Sequence, residues 1–425
     1  MKKRIKQVRE TGAKILETKF MKRSKTIFLG TLISQLITFS TSFIITSFYS
    51  PEDLGLLGTL TALISIIAGT LMYRLDLAII QAPERKAVET FVKSTLLSCG
   101  SSLVFCLICF VLPWDWSGKI SKYFIAFLLW TWGYFLFFNS KQLPFKFDKL
   151  EDASWASIWR SIYAFATQLL GGFTFPTFSI LLTSRISSDY FSSAIHLKRY
   201  IKEFSLTHLK GSWIKFIKEH SEYFLYMTPQ HLCSSMSQNI IILFIERRFG
   251  LFEAGIFALS QRLIQAPLEI VGGTLVNVSV QRYSELRHSH EDLRTFYVKL
   301  VVLALGLASL VGLTIFFSID FFIPFLGAKW TSTSKHIKYL IPYFMSLIIL
   351  VPAANILRMT KQSHIQLGIE VMEVILKLVF LIFISYDKVE SIILGYGMLS
   401  LGLSFIKTIL IFYVMKKVKS ESSSA

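Results

Sequence analysis

Four polar side chains fall on one stripe of an otherwise apolar segment: Gln366, Glu370, Glu373 and Lys377, spaced i, i+4, i+7 and i+11. That spacing puts them on one face of a helix. Charges in a membrane-length helix are costly, and they face the bundle interior, a wet cavity or each other. Glu373 and Lys377 form a favourable i,i+4 pair. Two readings follow: a self-neutralised pair between helices, or the lining of a polar cavity. Arg262 and Glu269, seven apart, share a face of another segment. In "GTLMYRLDLAIIQAPERKAVE" (69–89) an apolar run is interrupted by Arg74 and Asp76. Two residues apart, they do not pair along one helix face. The chemistry on offer is recognition by charge and hydrogen bond.

Uncharged polar residues recur at helical spacing as well: Thr31, Gln35, Thr38 and Ser42; His231, Ser235, Gln238 and Asn239; Ser400 and Ser404, with Lys407 beyond them. Helix–helix hydrogen bonding and cavity lining both account for such rows. Lys407 and Arg160 lie near the ends of their segments, where a long basic side chain snorkels to the membrane surface.

The elements that must position these residues are membrane helices. The 425 residues are 53% hydrophobic and 17% charged, with 38 Phe, and the mean hydropathy is +0.54. Soluble domains carry about 25% charged residues. Twelve apolar runs are long enough to span a bilayer: 27–48, 54–73, 90–112, 121–139, 154–173, 175–195, 222–245, 252–275, 296–317, 337–357, 364–385 and 389–415. With the N-terminus inside, 32 of the 45 Lys and Arg residues fall in inside segments and 8 in outside loops. This bias places both termini in the cytoplasm. The net charge of +18 is therefore topological, and no nucleic-acid partner is expected.

The first 25 residues form a basic tail suited to anionic lipid, with no cleavage site of a signal peptide. All four cysteines fall in apolar runs. Cys106 and Cys109 have redox-motif spacing but no βαβ context. There is no HExxH and no GxxxxGK[ST], so neither a metal nor a nucleotide cofactor is expected.

A basic, amphipathic loop at 196–223 divides six spans from six. "FYSPEDLGLLGTLTALI" (48–64) and "RFGLFEAGIFALSQRLI" (248–264) align at a shift of 200, with Gly55 on Gly255, Leu63 on Leu263 and Ile64 on Ile264. Repeated halves around a shared polar cavity describe an alternating-access transporter. The expected organisation is an all-α membrane protein: a tail (1–25), a six-helix lobe (26–195), a cytoplasmic amphipathic linker (196–221), a second six-helix lobe (222–415) and a cytoplasmic tail (416–425).

The segment from Tyr49 to Val88 resembles the N-terminal signature of the polysaccharide and O-antigen flippases (Wzx type) of the multidrug/oligosaccharidyl-lipid/polysaccharide exporter superfamily. Gly55, Arg74, Asp76, Ala78, Ile79, Pro83, Arg85 and Lys86 carry the likeness. Residues 234–286 resemble the opening of that family's second half, through Ser237, Gln238, Asn239, Gly255, Arg262, Pro267 and Gly272; Gly327, Trp330 and Pro342 match a later turn. One departure is the run Ile240–Ile242, where relatives often carry an acid.

The resemblance implies translocation, without catalysis, of an undecaprenyl-pyrophosphate-linked oligosaccharide from the inner to the outer leaflet of the bacterial cytoplasmic membrane. The product serves O-antigen, capsule or exopolysaccharide assembly, beside a polymerase and glycosyltransferases. It makes Arg74, Arg262, Lys377, Gln238, Asn239 and Gln35 candidates for substrate binding. Asp76, Glu269, Glu370 and Glu373 become candidates for gating or ion coupling. The alternatives are a drug or metabolite antiporter of the same superfamily and a membrane enzyme of surface-polysaccharide assembly.

Overall fold

The computed structural model describes residues 2–111, 123–200, 204, 212–286, 293–359, 363–383 and 387–422. Most of the 201–211 stretch of the linker, His288 and His290, and the side chains of both tails lie outside the described residues. Among those described there are fourteen α-helices. We number them α1 (Lys2–Phe48), α2 (Pro51–Leu71), α3 (Leu75–Gln81), α4 (Glu84–Val111), α5 (Phe124–Lys146), α6 (Leu150–Thr174), α7 (Phe178–Lys198), α8 (Trp213–Glu219), α9 (Thr228–Phe249), α10 (Leu251–Leu286), α11 (Leu293–Phe322), α12 (Thr333–Met359), α13 (Ser363–Phe383) and α14 (Val389–Ser422). All but α3 and α8 have 21 residues or more, enough to reach roughly 30 Å. These twelve long helices coincide with the twelve expected spans. Six of them, within α1, α2, α4, α11, α12 and α14, also hold a stretch that is long and apolar enough among the described residues to cross a membrane by composition.

The hairpins are tight for local reasons. Ser50 caps α2 in a capping box: its hydroxyl accepts from the Asp53 amide at 3.2 Å, and its amide donates to the Asp53 carboxylate at 3.2 Å, with Pro51 at the first turn. At the equivalent place 200 residues on, Gly250 (φ +90°) ends α9 and α10 begins at once; only glycine adopts that φ without strain.

In the first lobe α1 packs on α6, α6 on α7, α7 on α5 and α5 on α4; in the second α12 packs on α10, α11 and α14, and α9 on α13. The lobes meet through α2, which lies against α9 and α10, and through α1 against α10. The seam is closest where α2 and α10 begin. A Cβ on Gly55 would overlap the Leu251 carbonyl oxygen, and one on Gly255 the Pro51 carbonyl oxygen; Gly58 similarly faces Ala258. Each contact and its mirror image differ by 200 in both residues. At this same end the Trp330 indole N–H donates to the Thr46 carbonyl at 3.1 Å. The end bearing Ser50 and Gly250 is therefore closed.

Candidate functional site

At the far end of α2 the helix breaks. Tyr73 (φ +54°) and Arg74 (φ +53°) are consecutive left-handed residues, and α3 restarts at Leu75. Two such non-glycine residues together cost about 2–4 kcal/mol, and strain of this kind concentrates where function needs a direction change. The break turns the Arg74 side chain across the seam, where its Nη1 lies 3.4 Å from His231 Nδ1 on α9. It also corrects the sequence reading. Arg74 and Asp76 do pair, at 3.6 Å, because they are not on one regular helix. Asp76 is buried.

Further charges gather around the space between the lobes. On the first lobe, Arg160 Nε donates to Asp189 Oδ1 at 2.9 Å and its guanidinium stacks 4.2 Å over the Phe137 ring. Arg160 therefore does not snorkel. Arg185 reaches the same carboxylate oxygen at 4.0 Å. Lys141 lies over Phe137 as well, within the electrostatic reach of Arg160 and Glu269. Arg262, on α10 of the second lobe, is within reach of the Arg185 charge, and no described residue pairs with it.

Glu269 accepts from Gln35 Nε2 across the lobes and from Gln265 Nε2 at 2.7 Å. Tyr134 joins the groups, being within reach of Arg74, Asp76, Arg185 and Asp189. The set holds five cations (Arg74, Lys141, Arg160, Arg185, Arg262) and three carboxylates (Asp76, Asp189, Glu269).

A second, separate group is closed on itself inside the second lobe. The Glu373 carboxylate takes Lys377 at 2.6 Å, the Ser237 hydroxyl at 2.7 Å, and Lys407. Lys407 is also 3.5 Å from Glu370, so it does not snorkel either. Lys377 donates to the Ser237 hydroxyl at 2.8 Å and lies over the rings of Tyr396 and Tyr343. The Tyr396 hydroxyl donates to the Ser237 carbonyl. Lys377 is 2% exposed, and its recorded partners all belong to this group.

The ties in the two lobes mirror each other with the sign reversed. Arg160 on α6 meets Asp189 on α7, whereas Glu373 on α13 meets Lys407 on α14.

Of the residues named from sequence, Arg74 and Asp76 pair beside the seam, Gln35 and Glu269 hydrogen-bond across it and Arg262 lies within reach of Arg185, while Glu370, Glu373 and Lys377 form the second group. Gln238 hydrogen-bonds Ser234, and Asn239 the Ser235 carbonyl, both on their own helix. The sequence reading passed over Lys141, Arg185, Asp189 and Ser237 as site residues. Only Arg185 and Asp189 carried a legible signal, as an i,i+4 pair within one apolar run. Cys106 and Cys109 are buried in the first lobe's apolar core, and no His/Cys/Asp/Glu group among the described residues is arranged for a metal.

The two helical lobes, related by a repeat and carrying charges where they face each other, share the fold of solved multi-pass transporters. A multidrug resistance MATE family transporter of the MOP superfamily matches in its inward-facing form with TM-score 0.71 at 13% identity, covering 91% of this chain and 96% of that one. The outward-facing form of such a transporter matches with TM-score 0.65 at 13% identity, over 94% and 96%. A Vibrio cholerae MATE transporter matches with TM-score 0.61 at 12% identity, over 95% and 98%. No curated protein sequence matches the chain. A family model described as "Polysaccharide biosynthesis protein" matches residues 44–335, and the chain belongs to that family.

Proposed function

We propose that the protein is a flippase that carries an undecaprenyl-pyrophosphate-linked oligosaccharide from the inner to the outer leaflet of the bacterial cytoplasmic membrane, with both termini cytoplasmic. The observation that carries this reading is the charge gathered where the lobes face each other: an excess of two cations among the described residues, with no described partner for Arg262. A pyrophosphate diester carries about two negative charges and is strongly hydrated. Guanidinium groups replace that hydration with charge-assisted, bidentate hydrogen bonds. The same excess disfavours cationic drugs. The polyprenyl tail stays in lipid, and the glycine seam parts as the lobes rock.

Arg74–His231 and Gln35–Glu269 link the lobes and are exchanged as the lobes move, with Asp76 and Glu269 serving as gate carboxylates. The Glu370–Glu373–Lys377–Lys407 group holds the second lobe rigid. Translocation leaves the cargo chemically unchanged, and the polymerase and glycosyltransferases of the same assembly line act before and after it.

Deletion of the gene tests the reading. Surface polysaccharide should disappear, and lipid-linked repeat units should accumulate in the cytoplasmic leaflet. Intact polysaccharide together with lost drug or metabolite efflux would assign the chain to antiport instead.

A further inference from the structure

A groove of about 480 Å³ lies away from the interlobe space, between the end of α3 and first turns of α4 on one side and α8 on the other. The Lys86, Thr90, Lys93, Ser212, Lys215 and Glu219 side chains line it. Lys93 is buried and spent, 2.6 Å from Glu89 and stacked over Phe216. Lys86 and Lys215 have no ion-pair partner among the described residues and stand opposite one another on the two walls. Thr90, 5% exposed, holds no hydrogen bond within the described protein. Glu219 is the one unspent carboxylate on the wall.

The other face of α8 is apolar and uncovered. Ile214 is 68% exposed and Ile217 39%, and Leu225 just beyond is 65% exposed. A short segment with basic residues on one face and bare aliphatic residues on the other lies in the membrane interface. The clustering of Lys and Arg makes this the cytoplasmic interface. The groove then opens at the depth of the lipid phosphates.

We propose that this groove is a binding site for the headgroup of an anionic phospholipid of the inner leaflet, with Lys86 and Lys215 clasping the phosphate and the Thr90 hydroxyl donating to it. The lipid bridges the α3–α4 elbow of the first lobe and the linker helix that leads to the second. The Tyr223 hydroxyl, which donates to Gln81 at 2.7 Å, ties the same two pieces, so the headgroup reinforces an existing joint. This inference does not depend on the cargo assigned above.

The test uses the full-length protein in phosphatidylcholine nanodiscs titrated with phosphatidylglycerol, with retained lipid counted by native mass spectrometry. The wild-type protein should retain phosphatidylglycerol over phosphatidylcholine. Two membrane-facing lysines together are worth roughly thirtyfold in affinity for anionic lipid, so Lys86→Gln with Lys215→Gln should lose about that much. The paired Arg substitutions should retain binding, which separates loss of charge from loss of fold. Equal retention of the two lipids by wild type, or unchanged retention in the paired Gln variant, would overturn the site. Inorganic phosphate stabilising the protein as well as the lipid does would make it an anion pocket with no lipid role, and would overturn the proposal equally.

Discussion

Gly55 and Gly255 press their backbones together across the lobe seam: a Cβ on Gly55 would lie 3.0 Å from the Gly255 amide nitrogen, and a Cβ on Gly255 would lie 3.1 Å from that of Gly55. Carbonyl oxygens stand closer still on both sides, and backbone cannot move aside as a side chain can. Gly255→Ala should therefore overpack the closed end by about 1–3 kcal/mol, and Gly55→Ala should behave alike. Both should shift the protein toward the state open at that end by roughly fivefold to a hundredfold. The rate at which a maleimide reaches a cysteine placed at Ala258 measures this. An unchanged rate would mean that the seam does not part when the lobes move.

Arg262 distinguishes a charged cavity wall from a structural ion pair, since no described residue neutralises it. Arg262→Lys should keep partial transport, because the positive field survives while the fork is lost. Arg262→Gln should lose most transport with protein abundance unchanged. Complementation of surface polysaccharide in a deletion strain, with an immunoblot for abundance, reads both. Full transport by the Gln variant would remove Arg262 from the binding surface.

The buried group in the second lobe contains two carboxylates and two ammonium groups. Neutralising any one leaves an uncompensated charge, at about 3–5 kcal/mol. Lys377→Gln and Lys407→Gln should each reduce abundance. Glu373→Gln combined with Lys377→Gln leaves Glu370 paired with Lys407 and should restore both abundance and transport. Restored abundance without transport would assign Lys377 to the ligand.

Topology can be checked with the four native cysteines removed. A cysteine at exposed Thr331 should react with an impermeant maleimide in intact cells, and one at exposed Ser212 should not. Labelling at Ser212 would invert the orientation and place the lipid groove on the outer face.

The helices were legible because length and apolarity are local properties, and the repeat was legible because Gly55 and Gly255 keep its shift of 200; that these two glycines touch was not. What could not be read was anything that depends on two helices at once. Lys407 lies 34 residues from Glu373 and Asp189 lies 29 from Arg160, so no periodicity within one helix points to either partner. Snorkelling was the local inference for both bases, and the neighbouring helix overrode it. Arg74 and Asp76 failed differently: the spacing rule holds only on a regular helix, and two left-handed residues remove the helix there. Lys141 lies just past the apolar run that ends at 139, yet α5 continues to Lys146 and holds it over the Phe137 ring.

Both of the mirrored ion pairs join a helix to the one that follows it, α6 to α7 and α13 to α14. This bears on biogenesis. A nascent hairpin that leaves the translocon with base and acid already paired enters lipid without a net charge from that pair. Neither half has to wait for the other to neutralise these groups during synthesis. The glycine seam, by contrast, needs residues 200 apart and can close only after the second half has emerged. Insertion and assembly are thereby separated in time, the first governed by ion pairs within a hairpin and the second by shape between finished halves.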